Sequence, residues 1–440
     1  MANKTLSTVT AVKSVSKSDT VIIEQSGGVR RITVNDLADS LGDLHSTSTL
    51  KTFYNNPDPY SPILAQSGNH DVVTDYLTKS KAYVFNSAGT KKAEILRCSG
   101  TDPTSSMAVV FKDGTQKNIS DLNAAGCNFM VYRPELGILS TTEDNQGVLY
   151  FAGTGAINGG YQMPAKYIGM FKAYKDGTKL KSQPNRIPTG SQNIQQFTDA
   201  AKAGGAAYGL WNFTDWCKEN AIHLSYFGNT NYEVNVGTGR IGDTTEAGYN
   251  AVRNIVTGHG FRLVGTNTTA GILPTGTQAT TDANGAAVNV LMFFGLEGLG
   301  EQIWEFVGGI RFDDTNGYVW NNNVWSETMN DVTTRSFSKA ITGPSGGYIM
   351  KVRGGKFFNM LPATVAENKA ANAVKGFCDG SWHSTAGRCM AVGGRAYDGS
   401  PCGLAASSLS LAFSDSYSGY GARLAFYGDP QTVSGSEILS

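Results

Sequence analysis

Apolar and polar positions settle into a strand pattern near the start of the chain, over Thr20 to Glu24 and the alternating Val29 to Val34, with Ser26-Gly27-Gly28 between them. Two such runs around a Gly-rich turn predict a β-hairpin. Asn35 or Thr33 is placed to cap a short helix, Asp36 to Leu41, with acid in its first turn. The unit has too few apolar residues to fold alone. From Ser46 to Ser61 the apolar pattern breaks into Ser, Thr, Asn and Pro, including Asn55-Asn56-Pro57-Asp58-Pro59, and a linker is expected over 46–60. Short apolar runs then recur between Gly, Asp and Asn turns: Lys81 to Asn86, Lys92 to Cys98, Met107 to Phe111, Phe129 to Tyr132 and Ala165 to Tyr174. Each predicts a strand.

The period changes after Pro188. Ser191 or Thr189 is expected to cap a helix running to about Ala203, with Gly204-Gly205 ending it. A second helix is expected from about Leu210 to Asn220, its apolar residues lining mostly one face. The class that follows is α+β, a short N-terminal hairpin and helix followed by a large domain with two helices on mixed or antiparallel sheets. Its expected boundaries are 1–45 for the N-terminal segment, 61–130 for a β-rich first part, 131–430 for the remainder, and 431–440 for a C-terminal tail.

Composition narrows the partners. Among 440 residues, 36 basic side chains balance 36 acidic ones, so no positive surplus argues for nucleic acid or an anionic membrane. Low charge with 53 glycines suits a β-rich extracellular or virion protein with many turns. The N-terminus lacks the apolar core of an export signal, and no run of 18 apolar residues occurs, so neither Sec export nor a membrane-spanning helix is expected. Synthesis in a cytoplasm makes free buried thiols the favoured state of Cys98, Cys127, Cys217, Cys378, Cys389 and Cys402. A zinc site from Cys378, His383, Cys389 and Cys402 is the minority alternative, because structural zinc sites usually present tighter knuckles.

Two segments stand out by content. Ile303, Phe306, Val307 and Ile310 surround Trp304 and end beside Gly308-Gly309, which predicts a buried element with Glu305 as a hydrogen-bonded structural acid. The second segment begins at Gly393-Gly394-Arg395-Ala396-Tyr397-Asp398-Gly399-Ser400-Pro401-Cys402-Gly403-Leu404. It continues through a Ser, Ala and Tyr-rich stretch to Gly421-Ala422-Arg423-Leu424-Ala425-Phe426-Tyr427. Tyr supplies rigid contact area while Ser and Gly adapt to a partner, so this stretch is expected to bind. The candidate contacts are Arg395, Tyr397, Asp398, Ser400, Ser407, Ser408, Ser410, Ser414, Asp415, Ser416, Tyr417 and Tyr420, flanked by Trp382 and His383. The bland alternative is that they decorate loops. Arg423 is expected in a structural ion pair, with Leu424 and Phe426 inside.

These segments carry a family resemblance. The terminal stretch, the Phe294 to Ile310 run, and the helical region from Tyr167 to Trp216 together resemble the C-type-lectin-fold proteins of tailed bacteriophages. Those are relatives of retroelement-diversified variable proteins and, more remotely, of the formylglycine-generating-enzyme fold. The N-terminal pattern Ser18-Asp19-Thr20, Glu24-Gln25, Gly27, Arg30, Ile32 and Asp36-Leu37 resembles the attachment segment of phage fibre and head-decoration proteins. The resemblance implies a virion protein, made in the host cytoplasm, that docks to other virion proteins through residues 1–45. It would bind a host-surface glycan or protein through its C-terminal face, most naturally as a homotrimer.

Chemistry is weakly indicated. No nucleophile elbow, phosphate-binding loop or zincin motif occurs. His45, His70, His223, His259 and His383 are scattered, and Asp313, Asp314, Asp379 and Asp398 do not pair by spacing into a glycosidase dyad. Trp320-Asn321-Asn322-Asn323 lacks the companion motif of calcium-dependent lectins, and the three C-terminal cysteines do not map onto an oxidase pattern. No enzyme activity, cofactor or metal is expected. A purely structural decoration protein and, less favoured, a polysaccharide depolymerase are the alternatives.

Overall fold

The computed structural model describes residues 20–25, 28–33, 49–55, 64, 66–100, 102–103, 106–143, 146–240, 246–265, 271–320, 335–366 and 377–440. The hairpin is present, Thr20–Gln25 pairing antiparallel with Gly28–Thr33. The expected helix Asp36 to Leu41 lies outside the described residues. The linker expectation needs correction, because Leu50–Tyr54 is a strand and not a connector. It pairs with Gln146–Phe151 in a five-stranded sheet, and Leu50 and Tyr54 are buried. Its alternation of buried and half-buried positions is a strand signal that the surrounding Ser, Asn and Pro obscure.

The architecture is α+β, but besides the two expected helices the described residues form four more, Asp71–Thr78, Ile119–Ala124, Tyr232–Val236 and Glu246–Arg253. A nine-stranded sheet runs in the order Tyr208–Leu210, Leu424–Phe426, Lys166–Gly169, Asn128–Arg133, Lys81–Phe85, Lys91–Ser99, Ala108–Phe111 and Gln116–Asn118. Gln431–Thr432 adds to it in parallel on Lys91–Ser99, so the expected tail is built into the sheet. A seven-stranded sheet runs Asn359–Ala366, Gly346–Gly354, Gly380–His383, Ser407–Leu411, Cys389–Val392, Trp304–Phe306 and Tyr420–Ala422. Strands distant in sequence thus become neighbours in both sheets.

Helix Ile194–Lys202 starts at Asn193, whose side chain accepts from Gln196 N while Gln196 returns a bond to Asn193 N. That reciprocal box displaces the start from the expected Ser191 or Thr189, and Ser191 instead has φ of 56° in the turn before it. The second helix is Phe213–Phe227, capped by Asn212 and ended by Gly228 at φ 65°. Leu210, expected inside it, belongs to a strand. This helix is buried on nearly all sides rather than on one face. Its polar side chains are matched accordingly: Glu219 takes two bonds from Arg133, at 2.8 and 3.0 Å, and Lys218 reaches the Pro134 and Pro164 carbonyls.

The two large sheets meet at Arg423, the residue between strands Tyr420–Ala422 and Leu424–Phe426. The chain leaves one sheet and enters the other across this single position. Its guanidinium donates to both Glu305 oxygens, each at 2.8 Å, and to the carbonyls of Gly169, Met170 and Glu297. All five donors are used. Lys172 approaches Glu305 from the other side and also donates to Ile303 O at 3.0 Å. Burial alone would raise the Glu305 carboxyl, but Arg423 and Lys172 hold it below its ordinary value.

Two further glutamates of the same segment do comparable work. Glu301 takes the Arg240 guanidinium and its backbone N–H together with Leu291 N–H. Glu297 accepts the amides of Gly258 at 2.9 Å and Gly260 at 2.8 Å. Glu297, Glu301 and Glu305 are all buried, and each ties down a different stretch of chain.

Removing one partner of a buried charge pair leaves the other stranded, so Glu305→Gln and Arg423→Met should each cost about 3–5 kcal/mol in denaturant unfolding. A cost below about 1 kcal/mol would contradict the role assigned to the pair. Glu297 predicts a pH effect. Burial pushes its carboxyl up to about 7, against the pull of Arg240 and the two amides. A raised folded-state value means that its stabilisation is complete below the unfolded value near 4.5 and is lost as pH rises through about 7. The stability of the parent relative to Glu297→Gln should therefore fall between pH 5 and pH 8; a flat difference would contradict it.

Candidate recognition surface

Register decides which candidate residues can act together. In the seven-stranded sheet Trp304 stands opposite Tyr420, Phe306 opposite both Ala422 and Ala391, and Ser408 opposite both Ala391 and Trp382. Residues directly opposite share a face. Trp382, Ser408, Phe306, Trp304 and Tyr420 therefore line one side, and Glu305, Ser407 and Ser381 point to the other. Phe197 of helix Ile194–Lys202 covers Phe306, with ring centroids 6.2 Å apart. Trp382 and Tyr420 stay partly exposed beside it.

An aromatic chain results. Trp304 meets Trp382 edge to face at 5.6 Å and lies nearly parallel to Tyr420, 21° apart at 6.4 Å. Tyr420 continues to Tyr417 at 6.0 Å. Such geometries suit aromatic quadrupoles and lock the rings in place. Trp382 has a particular seat: a Cβ at Gly346 would come within 2.7 Å of its Cδ1, and one at Gly380 within 2.9 Å of its Cη2. Both ends of the indole rest on glycine backbone.

The polar candidates divide. Tyr397 and Tyr417 are 44% and 60% exposed, and Ser400, Ser410, Ser414 and Ser416 are also exposed. Ser408 needs correction as a free surface contact. It is buried, bonds Ser410 Oγ at 3.1 Å, and hydrogen-bonds the Tyr420 hydroxyl. Ser407 is buried on the opposite face against Ser381. Arg395 and Asp398 hold each other at 3.0 Å, and Asp398 also accepts Arg395 N–H, which shapes the turn that presents Tyr397. Asp415 caps its own turn through Ala412 N–H, and Ser400 shares its hydroxyl with Tyr348. Burial pushes the Tyr420 hydroxyl up to about 12, with Arg395 pulling the other way, so it remains a donor.

His383 falls on the other side of its strand, opposite Leu409. It lines a cavity of about 360 Å³ with Asp314, Lys339 and Thr385. The four carboxylates weighed for catalysis are each engaged. Asp313 accepts the Tyr318 hydroxyl, Asp314 pairs with Arg388, Asp379 is buried against Ala405 N–H, and Asp398 holds Arg395. The six cysteines are free thiols. Among the described residues no group of His, Cys, Asp or Glu is arranged to hold a metal, and no helix is long and apolar enough to cross a membrane.

Two contributors were not read from the sequence. Tyr249, on helix Glu246–Arg253, packs edge-on to Tyr397 at 6.5 Å, and its hydroxyl lies against Gly419 and the Arg395 stem. The turn at Gly190-Ser191 abuts the Tyr417-Ser418 backbone, with Ser191 N–H bonded to Tyr417 O. Neither follows a local pattern. Trp304, read as core, is the buried base of the aromatic chain, and its placement beside Glu305 was the available signal. No known family model matches the chain, and no curated protein matches it.

The glycine seat predicts that Gly346→Ala forces the Trp382 ring to move, with an overpacking cost of about 1–3 kcal/mol. Near-ultraviolet circular dichroism should show altered tryptophan bands; an unchanged spectrum and stability would refute the seat.

Proposed function

We propose that this chain is a virion protein of a tailed bacteriophage that binds a host-surface glycan or protein through the face carrying Trp382, Tyr397, Tyr417 and Tyr420. The large domain is then of the C-type-lectin-like kind, the N-terminal segment docks to other virion proteins, and the assembly is a homotrimer. The observation that carries the reading is the run of packed rings from exposed Tyr417 through Tyr420 and Trp304 to Trp382, with a second exposed tyrosine, Tyr397, held against Tyr249 on a turn whose Arg395 and Asp398 are paired. Exposed aromatic area invites contact, and tyrosine is ordered at low conformational-entropy cost, so such rings on rigid backing support recognition.

The test uses the full chain. Tyr397 and Tyr417 are exposed, so Tyr397→Ala and Tyr417→Ala together should change stability by no more than about 1 kcal/mol. Adsorption to host cells should fall about tenfold or more, as expected when contact anchors are removed. Undiminished adsorption by the folded variant would overturn the reading and favour a decoration protein. Release of reducing ends from host polysaccharide by the parent would favour the depolymerase alternative.

A further inference from the structure

We infer that the ligand of this face is an uncharged saccharide, with one sugar ring laid on the outward face of Trp382. The inference rests on the recognition reading above and narrows it.

The Trp382 indole lies flat. Gly346 stands opposite it on the neighbouring strand, and Gly380 precedes it by two residues on the same face. Cβ atoms added there would come within 2.7 Å of Cδ1 and 3.1 Å of Nε1 at the pyrrole end, and within 2.9 Å of Cη2 and 3.1 Å of Cζ3 at the benzo end. A ring seated over glycine at both ends, with Pro401 beside its benzo end at Gly380, lies with one face toward the sheet and the other turned away from it. Trp304 packs against it at right angles, 88° between planes, with ring centroids 5.6 Å apart. A flat, immobilised aromatic face complements the C–H face of a pyranose at little entropic cost.

Hydroxyl groups share that side of the sheet. Ser408, buried between Ser410 Oγ and the Tyr420 hydroxyl, holds both on the same side of the sheet, and the exposed Ser410 and half-buried Tyr420 hydroxyls can exchange hydrogen bonds with sugar hydroxyls. Charge is balanced. Arg395 is held by Asp398, Asp415 is turned onto Ala412 N–H, and Arg253 adds one cation beside Tyr249. An acidic glycan or phosphate would call for cations held open to it, as bidentate anion sites do. The groups named here are two of each sign, which favours a neutral ligand.

The experiment measures adsorption of the full chain to candidate host cells that are untreated, protease-treated, or treated with periodate to cleave sugar diols. Adsorption is read at 50 and 500 mM NaCl. The inference predicts that adsorption survives protease, is lost after periodate, and changes less than about twofold with salt, since uncharged contacts are not screened. Trp382→Ala should lower it about tenfold with Tyr397 and Tyr417 intact, and Trp382→Phe, which keeps a ring on the glycine seat, should retain part of it. Loss after protease would overturn the saccharide and indicate a protein receptor, and a steep salt dependence would indicate an acidic one; host recognition would stand in both cases. Adsorption undiminished in a folded Trp382→Ala variant would overturn the assigned ring. Failure of the parent to adsorb to any host would overturn the recognition reading itself, and this inference with it.

Discussion

Everything above the core depends on one buried contact, the Arg423 guanidinium on Glu305. Arg423 occupies the step at which the chain passes from the seven-stranded to the nine-stranded sheet, and Glu305 lies on the strand beside that step. A charged pair in a dry interior is costly unless every donor finds an acceptor. Here the guanidinium finds five and Lys172 closes the remaining side of the carboxylate. The contact gives direction as well as stability: an apolar residue at position 423 would fill space without specifying how the two sheets meet. Glu301 and Glu297 extend the same device to Arg240 and to the Gly258 to Gly260 loop.

The proposed recognition face is the other side of that strand. Because side chains alternate, fixing Glu305 inward places Trp304 and Phe306 on the opposite face, with Tyr420 brought alongside by parallel pairing. The buried ion pair and the buried base of the aromatic chain are thus built from consecutive residues on opposite faces. The exposed part is light in charge and rich in hydroxyls and rings, while the buried part holds its charges in closed pairs. Substitutions on the two sides should have separable effects, which is a physical basis for a surface that can vary without unfolding its scaffold.

Much of this was legible in the chain itself. The strands at Lys81, Lys92 and Phe129 follow from apolar runs between turns, and Arg423 and Glu305 were readable as structural charges because each is a lone ion within an apolar segment. That they bind each other was not readable, since 118 residues separate them. The strand at Leu50–Tyr54 was hidden by its polar surroundings, and the depth of helix Phe213–Phe227 by side chains such as Lys218 and Glu219, whose partners are remote in sequence, the Pro134 carbonyl and strand residue Arg133. At the candidate face, composition located the Tyr and Ser residues but not their burial. Ser407 and Ser408 are adjacent and both buried, on opposite sides of a strand, a distinction set by sheet register and not by residue type. Tyr249 could not be found from pattern, because only the fold brings its helix to Tyr397.

Hydrogen–deuterium exchange of the full protein, with and without a host envelope fraction, tests most directly whether scaffold and recognition face are distinct. The account predicts slowed exchange confined to peptides covering 380–383, 395–400 and 410–420, with 296–312 and 421–427 equally slow in both states. Protection confined to residues 20–33, or none at 380–420 despite measurable binding, would contradict it.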